Sequence, residues 1–281
     1  MTLRGPMHAL GQLTDRDHAI LDWLYDHKIM TTAQLARALF PSLDTAQDRL
    51  RKLYLLGLLD RGRMYREGGG KHSWRYMLDQ DGWAIVAAYR GDDPPPRRDK
   101  IRTRNLRLVQ SPKTEHLLGV NSFFTDLAGY ARTHDGAELR RWWSEAQIAG
   151  LSPVTLATPG PLARPDGHGI FTDAGRTVAF FLEYDTGTEP LQKLVDKVDG
   201  YAMLHRSGLR WPVLFWLHSS AREQNLHRRL PAILRAAVAT AARDRAARVG
   251  ETPADALWLV HGERTGRRVQ LVEVPCGNVP Q

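Results

Sequence analysis

The chain has 281 residues, enough for two modest domains or one large one, and its 42% hydrophobic content is that of an ordinary globular protein. A formal net charge of +8 favours a polyanionic partner, chiefly nucleic acid. The single cysteine, Cys276, excludes an internal disulfide and a cysteine-built zinc centre; no apolar run reaches membrane-spanning length, and Met1 to Pro6 lack a signal-peptide core, so a cytoplasmic location without a membrane partner is expected.

Thr14, ahead of Asp15, Arg16 and Asp17, predicts an N-cap with acidic residues in the first turn, and Ile20, Leu21 and Leu24 continue at helical spacing. Thr31 and Thr32 cap a short second helix over 33–39, and a third is predicted over 44–56, ended by Gly57. Residues 58–61 and 73–78 read as strands around a turn at Gly68-Gly69-Gly70. Three helices and then a hairpin are the layout of a winged helix-turn-helix, and Thr31-Thr32-Ala33-Gln34-Leu35-Ala36, with Leu56-Gly57-Leu58-Leu59-Asp60-Arg61 further on, resembles many bacterial winged-helix domains. In that fold the third helix enters the major groove, which makes Gln47, Arg49, Arg51 and Lys52 candidate DNA contacts. The wing offers Arg61, Arg63, Arg66, Lys71 and Arg75 to the phosphate backbone. A solvated face on a protein-binding module is the alternative.

Residues 79–89 read as one more helix, closing a domain over 1–90. Gly91-Asp92-Asp93-Pro94-Pro95-Pro96 then begins a basic, Pro-rich linker over 91–107, whose Arg97, Arg98, Lys100, Arg102, Arg104 and Arg107 either lie along phosphates or form a solvated tether. Over 108–281 the pattern is α/β: a helix over 113–132, a strand over 139–145, a hairpin, a helix over 191–204 and a strand over 212–217. A long Ala/Arg-rich helix over 226–248 and strands over 256–260 and 269–274 complete a sheet covered on both faces. His168, flanked by glycines, is expected in a solvated turn.

The hairpin carries the densest chemistry. Its turn falls near Asp173-Ala174-Gly175-Arg176, which brings Asp166 beside Glu183, and strand alternation points Glu183 and Asp185 the same way. Carboxylates gathered at one sheet end repel unless a cation sits between them, and a hard divalent ion, Mg²⁺ or Mn²⁺, suits an oxygen-only donor set. Pro165-Asp166 and Glu183-Tyr184-Asp185 resemble the two elements of the PD-(D/E)xK nuclease superfamily, with Asp185 at the lysine position. The resemblance implies that Asp166, Glu183 and Asp185 hold the metal and that a lysine from the following helix, Lys197 ahead of Lys193, stabilises the phosphate's charge. Glu115 and Glu145 are further acidic candidates, His116 and Tyr201 candidate positioners of substrate, and water the expected nucleophile.

On a larger scale the winged-helix pattern, the Pro-rich linker, Glu115-His116, Arg164-Pro165-Asp166-Gly167, Leu182-Glu183-Tyr184-Asp185-Thr186-Gly187-Thr188-Glu189 and Lys193 to Tyr201 resemble the replication-relaxation family, which is similar to the MOB-C class of conjugative relaxases. The resemblance runs over roughly residues 13–274. It implies a metal-dependent DNA nickase that acts in plasmid or integrative-element transfer or replication, with DNA and other conjugation or replication proteins as partners. The alternatives are an inactive DNA-binding accessory factor, or a transcriptional regulator, which needs a ligand pocket that the sequence does not locate.

Overall fold

The computed structural model describes residues 11–64, 73–150, 163–206, 208–263 and 265–277. The chain splits into two compact units, Met1–Thr125 and Asp126–Gln281, and both mix helices with sheet.

In the first unit, α1 (Asp15–His27), α2 (Thr32–Leu39) and α3 (Leu43–Leu55) accompany a three-stranded sheet of β1 (Met30–Thr31), β2 (Leu59–Gly62) and β3 (Arg75–Leu78) in the order β1-β3-β2. All of its pairings are antiparallel. Each helix begins where a side chain can satisfy an orphan N–H group. Thr14 with Asp17, and Thr31 with Gln34, form reciprocal capping boxes, and Ser42 caps α3. Ile20, Leu21 and Leu24 of α1, Leu35 of α2, and Leu50 and Leu53 of α3 are fully buried, as their spacing requires. α4 (Gln80–Arg90) follows, capped by Asp79 and ended by Gly91 at φ 72°.

The basic segment expected as a tether is corrected by α5 (Arg98–Gln110). Ile101, Asn105 and Val109, spaced four apart, are buried, while Lys100, Arg102 and Arg107 face out. The charge run masked an amphipathic helix whose inward stripe is only three residues wide. Gly62 permits the approach, since a Cβ there would lie 2.8 Å from Val109 Cγ2. α6 (Thr114–Thr133) runs through the division between the units.

The second unit holds a seven-stranded mixed sheet ordered β10-β9-β8-β7-β6-β5-β4. Its strands are β4 (Glu138–Ser144), β5 (Gly167–Asp173), β6 (Arg176–Tyr184), β7 (Val213–Leu217), β8 (Val238–Ala242), β9 (Trp258–Val260) and β10 (Arg268–Val269). β6, β7 and β8 are parallel to one another, and the flanking pairs are antiparallel. The helices are α7 (Glu145–Gly150), α8 (Leu191–Arg206), α9 (Ser220–Arg229) and α10 (Arg243–Val249). Phe181, Val213 and Phe215 from the sheet pack with Leu194, Val198, Tyr201 and Leu226 from α8 and α9 in one buried cluster.

The long helix expected over 226–248 does not exist. α9 stops at Arg229, before Pro231, and the Ala-rich run Val238–Ala242 is the buried strand β8. A strand buried on both faces tolerates small residues, and pairing to β7 outweighs the helix preference of alanine. Over 269–274 the expected strand is only Arg268–Val269, followed by a 3₁₀ turn at Leu271–Glu273.

Candidate functional site

The β5–β6 hairpin sets the site. Asp173 pairs with Arg176 across Ala174 (φ 47°) and Gly175 (φ 73°), the two left-handed residues of a tight turn that fixes register. Six pairs on, Gly167 faces Leu182, which leaves Asp166 at the strand end with its charge near Glu183. Asp166 Oδ2 accepts the Tyr184 N–H at 2.8 Å, and the Asp166 N–H donates to Leu182 O at 3.0 Å, which anchors the carboxylate at the strand end.

Glu183 is 1% exposed. Its Oε2 accepts from Lys197 Nζ at 2.5 Å and its Oε1 from the Tyr201 hydroxyl at 2.5 Å, both from α8. Burial, then the charge of Asp166, push its carboxyl up to about 7, against the pull of Lys197 and Tyr201. Burial and the neighbouring Glu183 raise the Tyr201 phenol well above its ordinary range, so Tyr201 is a neutral donor that orients Glu183. Among the described residues Lys193 pairs with Glu189, at 3.9 Å, on a side chain 62% exposed, so Lys197 is the lysine at the carboxylate.

Asp185 shares the face of Glu183 but is engaged elsewhere. Arg222 of α9 binds it through two bonds, Nε to Oδ2 at 2.6 Å and Nη2 to Oδ1 at 2.8 Å, and also donates to Glu189 O at 2.6 Å. With both oxygens on a guanidinium, Asp185 ties β6 and the approach to α8 onto α9. Among the described residues no three His, Cys, Asp or Glu side chains are gathered to hold one ion, and Asp185, expected beside Asp166 and Glu183, is bound to Arg222 instead. Glu145 is exposed at the start of α7. Glu115 and His116 belong to the first unit, where Glu115 pairs with Arg75 at 2.5 Å. His168, expected in solvent, is a buried β5 residue stacked on Trp211 at 4.3 Å. Its flanking glycines suggested a turn, but Gly169 pairs with Trp142 and Phe180 inside the sheet.

The residues assigned to DNA divide as sharply. Gln47, Arg51 and Lys52 are exposed on α3. Arg49 instead forms an ion pair with the buried Asp17, and its Nε donates to Asp17 Oδ1 at 2.8 Å. Burial pushes the Asp17 carboxyl up, but the bonds from Arg49 and Thr14 outweigh it and hold the group below its ordinary value. Arg75, 3% exposed, donates to Val109 O and Glu115 and is structural. Arg61 lies over the rings of Tyr54 and Trp74 at 4.3 and 4.2 Å, and Arg63 over Trp74 at 4.1 Å. Arg66 and Lys71 lie outside the described residues. Sequence reasoning missed Arg222, which sits 37 positions from Asp185; only its place in the first turn after β7 marked it.

A carboxylate pair at a sheet end, backed by one lysine, is an oxygen-only donor set. Mg²⁺ characteristically binds one or two carboxylates and keeps water or phosphate on its remaining positions, and Asp166 and Glu183 are the residues here that could hold such an ion. The family model described as replication-relaxation matches residues 21–214, more than half of the chain. No curated protein and no solved structure matches it.

Proposed function

The chain belongs to the replication-relaxation family, and from that premise we propose that it is a DNA-binding, metal-dependent nickase that acts in the replication or transfer of a plasmid or integrated element. The observation that carries the reading is the nearness of the Asp166 charge to Glu183, with Lys197 2.5 Å from Glu183. In this reading the second unit is a PD-(D/E)xK nuclease-like fold whose lysine comes from α8.

Asp166 and Glu183 would hold Mg²⁺ or Mn²⁺. When bound, such an ion polarises a phosphate oxygen and lowers the pKa of a coordinated water. The chain's own contribution is preorganisation. Tyr201 orients Glu183, the Tyr184 N–H orients Asp166, and the Asp185–Arg222 clamp fixes the strand end and the loop into α8. Lys197 keeps a positive charge beside the carboxylates, suited to the negative charge that grows on a phosphate under attack. Tyr201, buried and hydrogen-bonded, does not serve as a covalent nucleophile, which leaves water.

The first unit reads as a winged helix-turn-helix in which α3 enters the major groove and β2 and β3 form the wing. Gln47, Arg51 and Lys52 are its exposed polar contacts, with Arg61 and Arg63 on the wing. The reading is tested with supercoiled plasmid in Mg²⁺ or Mn²⁺. Wild type converts it to the open circle, and Asp166→Ala and Lys197→Ala do not, while all three retain affinity for DNA. Nicking by Asp166→Ala at the wild-type rate would overturn it. The second reading, a DNA-binding accessory factor without catalysis, is favoured by Asp185 at the lysine position and its commitment to Arg222; DNA binding without nicking by wild type is its outcome.

A further inference from the structure

A groove of about 710 Å³ opens in the first unit between the end of α3, β2 and α5. Its size falls within the ~300–1,000 Å³ of small-molecule sites. Leu59, Met64, Leu106 and Val109 make its apolar wall, and Arg61, Arg63 and Arg102 are cations along it.

Asn105 of α5 lines the groove and is 1% exposed. Its Nδ2 donates to Asp60 Oδ2 at 3.1 Å and to Leu78 O at 3.0 Å. Both partners are acceptors, so the amide cannot be turned over, and its Oδ1 is left buried with no hydrogen-bond partner among the described residues. A buried acceptor without a donor is unfavourable, and a ligand N–H is the group that removes the penalty. The arginines add the second half. Arg61 and Arg63 are held by the ring faces of Tyr54 and Trp74, and among the described residues neither pairs with a carboxylate. Stacking uses the faces of a guanidinium and leaves its N–H edges for in-plane acceptors, the geometry that suits a phosphate.

We propose that this groove binds one nucleotide, its base donating an N–H to Asn105 Oδ1 and lying against Leu106 and Val109, its phosphate on Arg61, Arg63 and Arg102. The nucleotide is either a free mononucleotide or an unpaired nucleotide of a DNA strand. The groove is built without Asp166 or Glu183, so the proposal stands apart from the nickase reading.

The full chain is titrated by calorimetry with deoxyguanosine monophosphate, deoxyribose 5-phosphate and inorganic phosphate, and with a DNA duplex carrying one unpaired guanosine beside its fully paired counterpart. Deoxyribose 5-phosphate keeps the phosphate and offers no base N–H, so the guanosine compound binds at least roughly tenfold tighter. Leu106→Trp fills the groove from an exposed position and Arg102→Ala removes an exposed cation, so neither disturbs the core, and each weakens binding roughly tenfold or more. Tight binding of the monophosphate identifies a free nucleotide. Binding of the duplex with the unpaired guanosine alone, lost in Leu106→Trp, identifies the strand. Equal binding of the guanosine compound, the sugar phosphate and inorganic phosphate, indifference to Leu106→Trp, or no binding of any probe overturns the proposal. Asp166→Ala, which should lose nicking and keep nucleotide binding, separates this outcome from failure of the nickase reading.

Discussion

Glu183 feels burial first and Asp166 second, and both raise its carboxyl, to about 7. Protonation of Glu183 therefore stabilises the fold, and that contribution is lost as pH rises from the ordinary carboxylate range through 7. Asp166→Asn removes only the second cause. The Glu183 carboxyl should titrate lower in that variant, read by carbon-detected NMR, and an unchanged titration would mean that the two side chains are not neighbours. His168 works in the opposite direction. Its Nδ1 lies 2.8 Å from Phe180 O, so the neutral ring donates there, and its buried Nε2 has no hydrogen-bond partner among the described residues. Burial holds the ring down to about 4 from 6.5, so its stability is intact above 6.5 and is lost as pH falls toward 4. The loss is at most ~1.4 kcal/mol per pH unit. Urea unfolding of His168→Phe at neutral and mildly acidic pH should show a smaller loss than wild type; an equal loss would contradict the buried, neutral imidazole. At this scale the sequence made Asp166 and Glu183 legible, because alternation and a two-residue turn are local. Arg49 to Asp17 and Arg222 to Asp185 were hidden, because each ion pair joins elements more than thirty positions apart.

Helix caps were legible for the same reason: Thr14 and Thr31 act on groups within three residues. β8 and α5 were not. β8 has the propensity of a helix and became a strand by pairing, whereas α5 has the charge of a linker and became a helix through three inward residues. Gly82 in α4 shows how tightly the elements meet. A Cβ there would lie 2.2 Å from Leu58 O, a backbone atom that cannot rotate away. Alanine gains up to ~1 kcal/mol of helix propensity, but overpacking of this kind costs ~1–3 kcal/mol and more where backbone must move. Gly82→Ala should lower the urea midpoint without changing the slope of the transition; a raised midpoint would show that α4 is free to shift.

For the whole molecule, a net charge of +8 pointed to nucleic acid, and the structure sorts which cations are spare. Arg49 and Arg75 are spent inside the first unit, whereas Arg51 and Lys52 are exposed. Arg51→Ala and Lys52→Ala should each flatten the log–log salt dependence of duplex binding by roughly 0.9. Arg49→Ala should lower stability instead and leave the slope alone; the reverse pattern would remove α3 from the DNA interface. No helix among the described residues is long and apolar enough to cross a membrane. The central claim is that Asp166 and Glu183 together hold a divalent ion while Asp185 does not. Its most direct test is titration of Mn²⁺ into the full chain, with free ion followed by electron paramagnetic resonance. The account predicts a bound Mn²⁺ that is lost in Asp166→Ala and in Glu183→Gln and kept in Asp185→Asn. Mn²⁺ binding that survives Asp166→Ala, or no bound Mn²⁺ in the wild type, would contradict it.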